Sequence, residues 1–595
     1  MVKNSAKEVS KESLDIPEEK MVELYNLFPE IFSEGKIDFD KLKETLGEEI
    51  DTRDEKYSFN WNGRKEALKN IQTTSKGTLV PAKNESVKFD STENLFIEGD
   101  NLEVLKLLQK SYFNKVKMIY IDPPYNTGKD FVYKDDFKNS IKAYLEQTGQ
   151  VDGDGIKLTS NPETSGRFHS DWITMMYPRL FVARNLLRED GVIFVSIDDN
   201  EVHNLRMIMN EIFGEENFVA EIVWRKTDNQ ANIGKIARVK EYIICYSKNI
   251  EKVKLNKMEL TERAIKEYRY SDEKGQFRRA ILLHKTRGRH NFTIETPSGK
   301  KLKGPWMIKE PDFMNLDKSG GIYWTHGGDE QPYGKIYLNE SGGQISSDLL
   351  GIEFGTNQEA SLQLESLLGD RYFDFPKPVS LIKHFVIIGS NQDDIILDFF
   401  AGSGTTGHSA LELNKEQDSK RKFILVQLPE LTDKDSKAYK AGFKTISDIA
   451  KERIRKAIKL LESKEGFKVF KLSQSNYKIW DKYEGKSDKE LKKQLELFKT
   501  PLVTGYKEEN VIYECIIKEG YSLNSNITKI EIKTNKVYKV TDSESFFYIC
   551  LDPEIKDKTL DELKLKKEDM LICLDEGLSD SKKKNLSIQC NLKVI

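Results

Sequence analysis

Met118-Ile119-Tyr120-Ile121-Asp122-Pro123-Pro124-Tyr125 is the stretch on which the fold turns. Four apolar residues make a run of strand length, and the run stops on a carboxylate and two prolines. Such a run, ending in a functional turn, is how a parallel strand delivers groups to the carboxyl edge of an open α/β sheet. A second segment of the same design lies far downstream. Ile395-Ile396-Leu397-Asp398-Phe399 runs into Phe400-Ala401-Gly402-Ser403-Gly404-Thr405-Thr406-Gly407. Around these two, residues 95–100, 191–198 and 423–426 read as further strands. Residues 102–108, 173–187, 379–388 and 438–461, and a segment starting at Thr405, read as helices. Strands alternating with helices predict an α/β class with a parallel, Rossmann-like sheet.

The alternation also marks out domains. Residues 1–85 are charged, with amphipathic stretches at 21–32 and 39–46, and read as a helical arm ending in a linker at Pro81. Residues 86–249 carry the first half of the sheet, including a long polar loop to about residue 165. From 250 to 374 the pattern breaks into mixed glycines, aromatics and charges, as in Gly320-Gly321-Ile322-Tyr323-Trp324, which predicts an inserted module. Residues 375–465 resume the sheet. Residues 466–595 form a lysine-rich C-terminal α+β domain with strands at 511–517 and 546–551, a candidate for dimerisation or partner contact.

With 94 basic and 97 acidic residues in 595, the net charge is −3, so any nucleic-acid surface must be a local patch. Cys245, Cys515, Cys550, Cys573 and Cys590 are widely spaced without a C-x-x-C pair, which favours reduced thiols over a disulfide framework or zinc site. The chain opens on polar residues and has no apolar run of membrane-spanning length. A soluble cytoplasmic protein with no membrane partner is expected.

The two turns suggest their chemistry. Glycines between a strand and a helix allow tight turning and close approach of backbone to a nucleoside ligand. Asp398, just before them, places a carboxylate where it can attract an ammonium or sulfonium charge. The following strand ends Val426-Gln427-Leu428-Pro429-Glu430, and either Gln427 or Glu430 is placed to hold ribose hydroxyls. A phosphate-binding Walker turn is missing, because the nearest match, Gly485-Lys486-Ser487, has Trp480 at the first glycine position.

The Asp-Pro-Pro-Tyr turn suits attack by an exocyclic amine. The lone pair of such a nitrogen is delocalised into the base ring. Asp122 and the carbonyl of Pro123 can accept both amino hydrogens and free the lone pair, while Pro123 and Pro124 stiffen the turn in advance. Tyr125 offers a ring on which an extruded base can lie. A plain βα turn, or a rigid loop with a core tyrosine, explains either segment alone but not both on one sheet. The combination implies methylation of the amino group of a DNA base.

These strings resemble the β-group of DNA amino-methyltransferases, in which the catalytic turn precedes the recognition module and the cofactor turn follows it, a circularly permuted order. The closest resemblance is to the modification (Mod) subunits of type III restriction–modification systems, over roughly residues 57–481. It rests on Asn94-Leu95-Phe96-Ile97-Glu98-Gly99-Asp100-Asn101-Leu102-Glu103-Val104-Leu105-Lys106, on Ile119 through Asn126-Thr127-Gly128-Lys129-Asp130-Phe131, on Asp374-Phe375-Pro376-Lys377-Pro378-Val379-Ser380-Leu381-Ile382-Lys383, and on the glycine turn. The resemblance implies S-adenosylmethionine as cofactor and adenine N6 as acceptor, since cytosine-N4 enzymes more often open the turn with serine; no metal is expected, because that cofactor carries its own activated leaving group. It implies cofactor contacts from Asp100 and Asn101 at the adenine, from Lys377 and Ser380 at the methionine end, and from Asp122 and the turn Asp398, Phe399, Ala401, Gly402, Ser403, Gly404, Thr405 and Thr406. It also implies a homodimer in which one copy reads DNA while the other methylates, and a helicase–nuclease restriction partner.

The insert carries the strongest local charge. Arg278, Arg279, Lys285, Arg287, Arg289, Lys300, Lys301, Lys303 and Lys309 are interrupted only by Glu295, with His284, His290, Asn291, Phe292 and Trp306 interleaved. Clustered cations on a near-neutral chain predict contact with double-stranded DNA. The seven histidines show no H-x-E spacing, against a zinc deaminase. Competing readings are a fused methyltransferase–endonuclease, supported only by Glu531-Ile532-Lys533, which a polar-alternating strand explains better; a non-catalytic recognition subunit, opposed by the intact Asp122 turn; an RNA methylase; and a stand-alone enzyme without a nuclease partner.

Overall fold

The computed structural model describes residues 7–8, 12–28, 31–33, 36–37, 39, 42, 45, 59–128, 167–230, 235–326, 330–478, 501–543 and 545–595. Most of the 39–46 stretch, most of the polar loop, Lys129-Asp130-Phe131 and the Gly485-Lys486-Ser487 match lie outside the described residues.

A ten-stranded sheet organises the larger unit, residues 1–254 and 348–595. In chain order its strands are β1 (Gly77–Pro81), β2 (Leu95–Glu98), β3 (Val116–Ile121), β4 (Leu187–Ile197), β5 (Phe218–Arg225), β6 (Lys240–Ser247), β7 (Leu349–Leu350), β8 (Ile395–Asp398), β9 (Lys422–Gln427) and β10 (Lys468–Gln474). Across the sheet they run β7-β5-β6-β4-β3-β8-β9-β2-β10-β1. The middle six, from β4 to β10, are mutually parallel. β5 and β6 form an antiparallel pair beyond β4, and β1 closes the far edge antiparallel to β10.

The two decisive strands are neighbours: Met118 pairs with Ile396 and Ile119 with Leu397. All six residues of β3 are buried, so the strand needs apolar partners on both faces. Ile119, Ile121 and Leu397 join the core shared with α1 (Asn101–Tyr112) and α2 (Phe168–Leu186). Tyr120 and Phe194 turn the other way and pack on Phe385 of α4 (Val379–Gly389). Here α3 is Val202–Phe213, α5 is Thr405–Gln417, α6 is Ile446–Leu460 and α7 is Glu508–Glu519. Asp100 caps α1 by accepting the Glu103 N–H at 3.0 Å, which fixes the turn after β2.

Several sequence expectations are corrected. Pro81 ends an edge strand rather than sitting in a linker, where a missing N–H costs no ladder bond. β10 brings the segment after Gly466 into the central sheet. The predicted helix 438–461 is two helices, Lys437–Lys440 and α6, because Gly442 takes φ 101° and Thr445 and Asp448 form a capping box that starts afresh. The 511–517 segment is the middle of α7, not a strand. Its residues are buried all round, so the helical period is hidden in a continuous apolar run. The Glu531-Ile532-Lys533 fragment lies in the turn between strands Asn526–Ile530 and Val537–Asp542, with Ile532 against the tail core.

Residues 255–347 form the second unit, narrower than the 250–374 interval, since β7 and the helix Asn357–Leu368 belong with the larger unit. It has a four-stranded antiparallel sheet, a hairpin of Thr293–Glu295 and Lys301–Lys303, and the helix Glu310–Lys318. Leu282, Ile294, Trp306, Phe313 and Ile322 make its core. Trp306 is fully buried and the partly buried Phe292 stacks on it, so both pack in the core of this unit. No helix among the described residues is long and apolar enough to cross a membrane.

Truncating Leu397 tests the central pairing. Leu397→Ala should destabilise the larger unit by about 2–5 kcal/mol, the usual cost of a buried leucine cavity. A clear drop in melting temperature is expected, with the insert's melting left unchanged. An unchanged transition would remove β8 from the core.

Candidate active site

The parallel strands β2, β3, β4, β8 and β9 all end at one edge of the sheet, and each hands a polar group to it. From β3 comes Asp122. Its Oδ1 accepts from the Lys377 ammonium at 2.9 Å and from the Tyr125 hydroxyl at 2.8 Å. Nothing among the described residues donates to Oδ2. The Trp172 indole N–H donates to the Pro124 carbonyl at 2.7 Å, and this clamps the turn from α2. The Pro123 carbonyl receives no protein donor among the described residues. Asn126 follows at φ 59°, a left-handed conformation held by its side-chain amide donating to Glu201 at 2.6 Å.

Lys377 sits between Pro376 and Pro378, directly before α4. Its buried ammonium also donates to the Tyr125 hydroxyl at 2.8 Å and lies 3.3 Å from Glu241. Glu241, near the start of β6, reaches the same edge because β6 runs antiparallel to β4. Its Oε2 lies 3.1 Å from the Tyr125 hydroxyl, whose single proton it shares with Asp122, and its Oε1 accepts from Lys226 at 3.1 Å. Burial raises the Asp122 pKa above the usual carboxylate range, opposed by Lys377 and reinforced by Glu241. Burial also pushes Glu241 up, but Lys377 and Lys226 outweigh it and leave Glu241 below its ordinary value. Desolvation would lower Lys377, yet the two carboxylates hold it firmly protonated. Burial moves the Tyr125 phenol well above 10.

The glycine turn after β8 is braced from within. Asp398 accepts the Phe400 N–H at 3.0 Å and the Thr406 hydroxyl at 2.6 Å, so both its oxygens serve the turn itself. Burial raises its pKa to about 7. Gly402 takes φ 53°, a conformation side chains resist, and its N–H donates to Gln427 Oε1 at 2.7 Å. The Gln427 amide in turn donates to the Leu428 carbonyl at 3.1 Å. Glu430 is different. Its carboxylate has no partner among the described residues, and burial alone raises it to about 7. Ser403 and Thr405 receive the guanidinium of the fully buried Arg453 at 2.8 and 2.6 Å. Ala401 and Gly404 close the turn through a 2.7 Å backbone bond.

The structure brings the other expected cofactor residues to this edge. Asn101 donates to the Phe399 carbonyl at 2.9 Å, and Asp100 is 3.3 Å from the Arg179 guanidinium. Ser380 donates its hydroxyl to the Phe354 carbonyl at 2.8 Å. Sequence reasoning missed Glu241, Arg179, Arg453, Lys226 and Trp172. Three carried a signal. Glu241 precedes an apolar strand run, and Arg179 and Arg453 interrupt the apolar faces of α2 and α6.

Within the insert unit, the basic residues divide into two kinds. Arg279 lies 4.6 Å from the rings of both Tyr270 and Tyr333, and Arg278 is 5.8 Å from Tyr268, so both are packed on aromatics. Lys285, Arg287, Arg289, Lys301 and Lys303 are exposed, and among the described residues none has an ion pair. Lys301 stands opposite Glu295 across the hairpin.

A family model described as DNA methylase matches residues 116–459, an interval that contains both turns. The chain is 34% identical to the Mod subunit of the type III restriction–modification enzyme StyLTI of Salmonella typhimurium, over 74% of this chain and 69% of that protein. It is 35% identical to the EcoPI Mod subunit of Escherichia phage P1, over 74% of this chain and 75% of that one. The EcoP15I Mod subunit of Escherichia coli is also 35% identical, over 75% and 76% respectively. With the two turns joined at one sheet edge and most of each relative covered, the chain belongs to the DNA methylase family and, within it, to the Mod subunits of type III restriction–modification systems: it is an S-adenosylmethionine-dependent DNA methyltransferase.

Proposed function

We propose that this enzyme methylates N6 of adenine in an extruded base of a specific duplex sequence, as the modification and recognition subunit of a type III system. The observation that carries the reading is the pairing of β3 with β8, which places Asp122 and the glycine turn side by side. S-adenosylmethionine supplies an activated methyl on a sulfonium. Everything else falls to the chain. Asp122 Oδ2 and the Pro123 carbonyl, both without donors among the described residues, accept the two amino hydrogens and draw the nitrogen out of conjugation. The Tyr125 ring, its hydroxyl tethered at 2.8 Å to Asp122, is the platform for the base.

The residues present fit a purine nucleoside. Gln427 is committed to Gly402 and Leu428, whereas the Glu430 carboxylate has no partner among the described residues, so Glu430 is assigned the ribose hydroxyls. Asp100 and Asn101 are assigned the adenine end, and Lys377 and Ser380 the methionine end. Lys285, Arg287, Arg289, Lys301 and Lys303 are assigned to DNA phosphates, and Arg278 and Arg279, held on aromatic rings, to base edges. A restriction partner, a homodimer joined through the tail, and a cytoplasmic location complete the reading. They rest on the likeness to type III Mod subunits.

Three measurements test it. Asp122→Ala should abolish methyl transfer while keeping cofactor binding, because a lost preorganised acceptor costs about 3–4 kcal/mol at the transition state. Near-normal turnover by the folded variant would refute the assignment. Glu430→Gln should weaken S-adenosylmethionine binding by roughly ten- to hundredfold in calorimetry, the worth of a hydrogen bond to a charged group. Unchanged affinity would move the ribose elsewhere. Replacing Arg287 and Arg289 with alanine should weaken DNA binding, flatten its salt dependence by about one unit of slope per phosphate contact, and leave cofactor affinity intact. A salt dependence equal to wild type would take both residues out of the interface.

A further inference from the structure

Two lysines and two carboxylates meet at the reaction edge, and only one of the four belongs to the Asp-Pro-Pro-Tyr turn. Lys377 bridges Asp122 at 2.9 Å and Glu241 at 3.3 Å, while Lys226 sits 3.1 Å from the other oxygen of Glu241. Tyr125 joins the same two carboxylates through its hydroxyl. Lys377 and Glu241 are both buried, so these charges are poorly screened.

We propose that Glu241 is a positioning residue for methyl transfer: it keeps the cluster neutral and holds Lys377 and Tyr125 on Asp122 Oδ1, leaving Oδ2 free for the amino group. The physical reason lies in the charge that develops. As the nitrogen lone pair forms the new N–C bond, the methyl–sulfur bond breaks with its electron pair left on sulfur, so the nitrogen becomes positive until it gives one proton to solvent. With Glu241 ionised, two cations balance two anions beside that nitrogen. Without it, Lys377 and Lys226 face Asp122 alone, and the surplus positive charge opposes the developing one. Glu241 also shares Lys377, so Asp122 is not fully neutralised and stays a strong acceptor. The inference rests on the assignment of Asp122 as the amino acceptor.

The geometry also sets the direction of a pH effect. The titratable groups facing this pair are Lys377, Lys226, Tyr125, Tyr120, Asp198 and Asp398. A negative Glu241 raises the proton affinity of Asp122, so removing that charge makes Asp122 harder to protonate. The acid limb of the rate profile must then move to lower pH even as the plateau falls.

The test uses the full chain, cognate duplex and S-adenosylmethionine in single-turnover methylation from pH 5 to 9. Glu241→Gln should lower the plateau rate about tenfold or more, with affinities for cofactor and DNA held within about threefold. Its acid limb should shift to lower pH. Adding Lys226→Met to the same chain removes the surplus cation and should recover part of the rate, a non-additivity that simple damage to packing would not produce. Lys226→Met alone, which stands should Glu241→Gln not fold, leaves one extra negative charge and should move the limb to higher pH. An unshifted limb in both single variants, or a double variant no faster than Glu241→Gln, would overturn the proposal. Should Asp122→Ala itself stay active, the fault lies in the assignment of the turn. Should it be inactive while the Glu241 results fail, only this inference falls.

Discussion

The parallel pairing of β3 with β8 is the constraint on which the rest depends. Asp122 and Gly402 are far apart along the chain, yet Ile119 and Leu397 are registered partners in one ladder. Parallel strands align their carboxyl ends, so two turns that leave neighbouring strands must emerge together. The pairing is buried on both faces, by the α1 and α2 side chains on one and by Phe385 on the other. A slip of one residue would exchange those faces and rotate Asp122 away from the edge.

Around that edge the enzyme concentrates buried charge. Asp122, Glu241, Lys377 and Lys226 form a balanced cluster, and Arg179 pairs with Asp100 beside Asn101. Removing one partner from such a set leaves an uncompensated charge, which costs far more than the pair contributes to stability. A rigid, poorly screened cluster suits a reaction whose central event is a change of charge at one nitrogen. Arg453 has a comparable place under the glycine turn, where it donates to two hydroxyls and, among the described residues, makes no ion pair; burial lowers its pKa to about 9 against the opposing charge of Glu412.

The insert unit meets a different requirement. Its core is small and aromatic around Trp306; among the described residues Lys285, Arg287, Arg289, Lys301 and Lys303 are exposed with no acid paired to them, while Arg279 is laid over tyrosine rings. Phosphate contact calls for mobile exposed cations, while base reading calls for side chains held in one orientation. Under the proposed reading, the hairpin and loop lysines and arginines would meet the first need, and Arg279, laid over Tyr270 and Tyr333, the second.

Local chemistry was legible in the sequence. Apolar runs that end in Asp122 and Asp398 identified β3 and β8, because a strand buried on both faces can only be written in such residues. The glycines of the cofactor turn were legible because Gly402 must adopt a positive φ. The Thr445–Asp448 box and Gly442 could have divided the helix before α6, since capping is local too. Other features were decided only by the tertiary structure. Nothing near Val511 distinguishes a strand from a helix buried on all sides, and nothing near Pro81 announces an edge strand whose partner is Lys468–Gln474. Glu241 is the clearest case. Alone it is an acid at the start of a strand, and its role exists only because an antiparallel turn of the sheet carries it to Lys377 and Tyr125. A sequence specifies which groups a segment can offer, but which charges share a lysine depends on distances that folding alone sets.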